Sequence, residues 1–155
     1  MNVRLIVEFA NLFCAGILAG VEVVVHYGLP NPLVIPDEPT RLRFRQALMR
    51  KLRVLVPAFF VPTALSGIAV VVLGGGMPGG GFRYAGLAAL RLWILIRVVG
   101  TVPVNSATLD WQPDAPPNDW QAQIDHAERF NIVGAWSAVI AFAFFLVAAA
   151  LRLQV

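Results

Sequence analysis

LIVEFANLFCAGILAGVEVVVHYGL, residues 5–29, is long and apolar enough to cross a membrane, yet it carries Glu8, Asn11, Glu22 and His26. At about 100° per residue those four fall within one helical arc of roughly 60°, which also holds Ala15. Lipid accepts such a stripe poorly, since a charged group at the bilayer centre costs about 2.5–3.5 kcal/mol or more. The stripe must therefore face other helices or a cavity. An ionisable group kept inside a membrane marks a candidate functional site.

Working outward, three more apolar runs follow in a chain of 155 residues that is 58% hydrophobic and 14% charged, with a mean hydropathy of +0.72. The spans read as about 5–28, 52–73, 84–104 and 130–151, each near the ~20 residues that a bilayer requires. The fold class is all-α: an integral membrane bundle of four transmembrane helices, taking up residues 1–155 without a separate soluble domain. The lipid bilayer is the first partner, and the expected location is the cell (inner) membrane, crossed several times. A net charge of +3 could suggest nucleic acid. The basic residues, however, cluster beside the spans, which argues for topology or site roles and against a nucleic-acid partner. Arg41, Arg43, Arg45, Arg50, Lys51, Arg53 and Arg129 share one membrane face, against Arg4, Arg83 and Arg152 on the other. The positive-inside rule then places the first loop in the cytoplasm and both termini outside.

Cys14 is the only cysteine, so no internal disulfide forms. Phe13 stands where a lipoprotein signal needs a small residue. The first segment is also too long, and too polar on one face, for a cleaved signal peptide, and reads as a retained helix.

Pro30, Pro32 and Pro36 break the chain after the first span. Thr40 is the expected N-cap of a helix starting near Arg41. Arg43, Gln46, Arg50 and Arg53 recur there at spacings of three, four and three, forming one polar stripe. It reads either as an amphipathic interfacial helix running into the second span or as a wall over a site between helices. Pro57 and Pro62 lie inside the second span, where neighbouring helices can satisfy the freed carbonyls. The run Gly74–Gly81 is a flexible turn; it lacks the lysine and the strand-to-helix context of a phosphate loop. The third span carries Arg91 and Arg97. Residues 105–131 are acidic and proline-containing, with Trp111 and Trp120 suited to the membrane interface. No internal repeat is evident.

In an up-down bundle the first and third helices run the same way. Glu22 and Arg97 then both sit roughly 10 Å inside their common exit face. His26, Asn105 and His126 approach that face, as does the basic segment 41–53. This end gathers the candidate catalytic residues Glu22, His26, Arg97 and Asn105. Two plainer readings stand beside it: Glu22 and Arg97 neutralise each other as a buried pair, and His26 only hydrogen-bonds at the interface. Glu8 could likewise pair with Arg4 or Arg83. Because desolvation of buried ion pairs often exceeds their attraction, retaining them suggests a use. Glu22, His26 and His126 would make a two-histidine, one-carboxylate set of the kind that binds non-haem iron, so the cofactor is either absent or a non-haem metal. Serine or cysteine nucleophile chemistry has no support.

The segment Thr101, Val102, Pro103, Val104, Asn105, with Leu109 and Trp111 after it, resembles a motif of the anthrone oxygenase-like family of small four-helix membrane proteins. The resemblance extends to Trp120, to Glu128, Arg129, Phe130 and Asn131, to Ala19 and Gly20 ahead of Glu22, and to Gln46. It departs at Gly134, where an arginine would be expected. The resemblance implies oxidation of an anthrone to an anthraquinone by O2 without a conventional cofactor. His26, supported by Glu22, would be the base that removes an acidic C–H proton. Arg97 and Asn105 would stabilise the developing oxyanion. The substrate class is then a hydrophobic small molecule, aromatic or phenolic, oxidised with O2. The competing class is a non-catalytic accessory subunit, in a homo-oligomer or a larger membrane complex. A transporter fits less well, because neither an inverted repeat nor matched broken helices occur.

Overall fold

The computed structural model describes residues 3–28, 37–74, 76 and 78–153. Helix α1 (Val3–Val23) continues into a π-helical turn, Val24–Gly28, and α2 runs unbroken over Glu38–Leu73. Helix α3 (Gly80–Ile96) passes through a second π-helical turn, Arg97–Thr101, into the short α4 (Val102–Asp110), and α5 covers Trp120–Leu153. Counted with their extensions, four helical segments among the described residues are long and apolar enough to cross a membrane. The protein is an all-α four-helix bundle.

Each expected span lies within one of these longer helices. The second does not start at Thr40: Asp37 is the N-cap, accepting from the Thr40 backbone at 3.0 Å and from its hydroxyl. Those two hydrogen bonds, the hydroxyl's being the stronger influence, hold the Asp37 carboxyl below its ordinary value. Residues 105–131 are also mostly helical, leaving 111–119 as the connection. The prolines at 30, 32 and 36 fall outside the described residues, as do Gly75 and Met77 of the glycine-rich turn.

The α1 stripe is inward, as its arc requires: Glu8, Asn11, Ala15 and Glu22 are all buried. Ala15 and Leu18 meet Leu90 and Trp93 of α3 and Ala138, Ala141 and Phe145 of α5 in the core. The buried face of α5 is built from small residues (Ala127, Gly134, Ala138, Ala141, Ala148), which let α1 and α3 pack closely against it. Phe60 of α2 stacks on Trp93 at 4.8 Å between ring centres.

Two charge-free stretches set the membrane level. Val54–Leu73 on α2 and Ile132–Leu151 on α5 each run ~30 Å without a charged residue, the thickness of a hydrocarbon core. At the far end Glu8 pairs with Arg83 at 3.3 Å and also with Arg152, a partner not foreseen in the sequence. Arg83 additionally donates to the Gly74 carbonyl at 3.0 Å, and Asn11 donates to the Thr63 carbonyl and the Ser66 hydroxyl. The near end is different. There α2 and α5 project beyond the charge-free stretches as Glu38–Arg53 and Trp120–Asn131.

Candidate functional site

Between those projecting ends and the π-helical turn Val24–Gly28 lies a cavity of about 850 Å³. Leu42, Phe44, Leu48 and Met49 of α2, with Val25 and Ile124, give it apolar walls. Beside Arg41, Gln121 and Asp125, two clusters of polar side chains line it.

The first set is Glu22, Arg97 and Asn131. Glu22 is 2% exposed and one carboxylate oxygen, Oε2, accepts from Arg97; its other oxygen, Oε1, is buried without a hydrogen-bond partner. Arg97 also donates to the Asn131 side chain at 2.5 Å and lies 5.6 Å from the Trp93 ring centre, a cation–π distance. Gly134 borders the seat; a Cβ there would lie 3.5 Å from Arg97 Nε, an ordinary contact distance.

The second set is Arg45, Glu128 and His26. Arg45 donates to Glu128 at 3.0 Å, and His26 Nδ1 lies 3.9 Å from the other carboxylate oxygen of Glu128. The His26 ring meets Tyr27 edge-on, and Tyr27 accepts a hydrogen bond from Trp136 Nε1 at 3.2 Å. Gln46 donates to the carbonyls of Thr108 and Trp111 at 2.9 and 2.8 Å, fixing this end of α2 against the end of α4. An exposed bidentate pair, Arg43 with Asp114, adds a second tie.

Both π-helical turns contribute to the cavity, through Val25, His26 and Tyr27 and through Arg97. Such turns frequently occur at functional sites, where the extra residue re-aims a side chain. The second turn also requires Gly100, since a Cβ there would overlap the Phe130 ring.

Of the sequence candidates, Glu22, His26 and Arg97 share one cavity. Three details differ from expectation. The carboxylate beside His26 is Glu128 rather than Glu22, whose bound oxygen goes to Arg97. Asn105 stands behind Arg45, accepting from it at 3.4 Å, and does not line the cavity; Asn131 takes the place beside Arg97. Glu22, His26 and His126 do not assemble. His126 is exposed against Phe130, about 200° around α5 from Glu128. Among the described residues no three His, Cys, Asp or Glu side chains come together as a metal site. A non-haem metal does not fit this arrangement.

Arg45, Glu128 and Asn131 were missed as site residues. Gln121, Ile124, Asp125, Glu128 and Asn131 recur at helical spacing, and that period was the available signal. No protein-family model, curated protein or solved structure matches the chain.

Proposed function

We propose that the protein is an inner-membrane oxygenase that oxidises a hydrophobic aromatic or phenolic substrate with O2, without a metal. The observation that carries this reading is the cavity itself. It combines apolar walls, a polar corner and a position at the edge of the hydrocarbon region, which suits a ring system that partitions into lipid.

The chemistry assigns each group a role. His26, beside Glu128, removes a proton from a methylene made acidic by a neighbouring carbonyl and aromatic rings. Arg97, held by Glu22 and Asn131, places its charge where the enolate oxygen develops, in a site of low dielectric. The enolate then reduces O2. A C–O bond forms, the remaining methylene proton leaves as the O–O bond breaks, and the products are a ketone and one water. The balance is one CH2 plus one O2 to one C=O plus one H2O.

The test uses full-length protein in lipid nanodiscs with anthrone as the probe, following anthraquinone formation and O2 uptake against empty discs. Wild type should exceed the blank rate, and His26→Ala should lose about 10²–10⁴-fold of the enzymatic excess. Full turnover by both His26→Ala and Arg97→Ala would remove the basis of this reading.

A further inference from the structure

Arg91 sits on the outward face of α3, well away from the cavity. It is exposed, and no hydrogen bond or ion pair joins it to any described residue. Its surroundings on the helix are apolar or uncharged: Tyr84, Ala88, Leu92, Leu95 and Val98 are all exposed on the same arc, which spans about 120°. Eleven residues separate it from Gly80 at one end and from Val102 at the other. That is ~16 Å in each direction. Measured from the two ion-paired arginines that mark the ends of the hydrocarbon region on this helix, Arg91 lies ~9 Å inside Arg97 and ~12 Å inside Arg83, between the two membrane faces.

Among the described residues no other charged side chain is exposed in the stretches 5–28, 54–73, 83–97 and 132–151. Arg83 and Arg97, on the same helical segment, each have a carboxylate partner, Glu8 and Glu22 respectively. The contrast is the informative point: every other arginine at membrane depth is matched by an acid, and Arg91 is not. Charges within membranes almost always pair or face a protein interior.

We infer that the Arg91 face of α3 docks a transmembrane helix of another protein, one that carries a carboxylate at mid-bilayer depth. A second copy of this chain does not meet the requirement. Its only acids at membrane depth, Glu8 and Glu22, are buried and already paired. A parallel two-fold pair across α3 would set Arg91 against Arg91. The small side chain of Ala88 beside Arg91 permits a close helix approach. This inference is independent of the oxygenase reading.

The test needs no knowledge of the natural partner. Fluorescent transmembrane peptides of leucine and alanine, carrying a single central Glu or Gln, are titrated against full-length labelled protein in phosphatidylcholine vesicles. Energy transfer reads association. The Glu peptide should bind wild type about tenfold more tightly than the Gln peptide. Arg91→Leu should abolish that difference, and Arg91→Lys should keep part of it. Equal binding of the two peptides overturns the inference, and so does a Glu preference that survives in Arg91→Leu. Loss of the preference when anionic phosphatidylglycerol is added also overturns it, because Arg91 would then be a lipid site.

Discussion

Glu22 of α1 and Arg97 at the start of the second π-helical turn form an ion pair across 75 residues of sequence, at the level where the hydrocarbon region ends. The pair closes the inner end of the cavity and connects the core to the site. Removing one member leaves the other buried without compensation, which costs about 3–5 kcal/mol. Arg97→Leu should therefore be strongly destabilising. Replacing both residues with leucine should recover more than half of that loss, since an apolar pair of similar volume is often neutral. Reversible unfolding in mixed detergent measures both values. A double variant as unstable as Arg97→Leu alone would contradict the pairing.

Gly100 makes a sharper steric prediction. Its Cβ would overlap Phe130, so Gly100→Ala should cost about 1–3 kcal/mol through overpacking. Gly20, with nothing within 4 Å of its Cβ position, is the control. There the same substitution should stabilise by up to about 1 kcal/mol through helix propensity. Thermal unfolding of the two variants in one detergent makes the comparison.

Glu128 touches both Arg45 and His26 and carries a graded expectation. Glu128→Gln should fall between wild type and His26→Ala in anthrone turnover, because it removes the group beside the imidazole and leaves the base. Circular dichroism should show an unchanged helix content. A turnover below that of His26→Ala would assign the proton transfer to Glu128 instead.

Asp37 predicts a pH effect confined to the start of α2. Hydrogen bonds from Thr40 lower its carboxyl value in the folded state. A lowered carboxylate stabilises fully above its unfolded value, near 4, and loses that contribution as pH falls through the lower folded value. Amide exchange at Thr40 and Arg41 should therefore be faster in Asp37→Ala than in wild type at about pH 6. The two proteins should converge in acid. A difference that persists in strong acid would contradict the capping account.

The bundle was legible because segment length and apolar content are large signals that need no single residue to be right. The inward stripe of α1 followed from helical period alone, and equal depth brought Glu22 to Arg97 before any contact was visible. Other features depend on the third dimension. Arg152 reaches Glu8 from the far end of α5, and no spacing relates two residues 144 apart. Arg45 and Glu128 meet because α2 and α5 both project past the charge-free stretches; the sequence predicts a helix from near Arg41, but starts the last span only near residue 130. His126 shows the converse error: its placement rests on depth alone, which does not say that it faces about 200° around α5 from Glu128.

The central claim is that His26 acts as a base on a carbon acid held in this cavity. It is tested most directly by following deuterium uptake at the methylene of anthrone in deuterated buffer with O2 excluded, so that the oxidation cannot proceed. Wild-type protein in nanodiscs should accelerate exchange over empty discs, with the excess falling about 10²-fold or more in His26→Ala. Equal exchange rates in wild type, His26→Ala and empty discs would contradict the account.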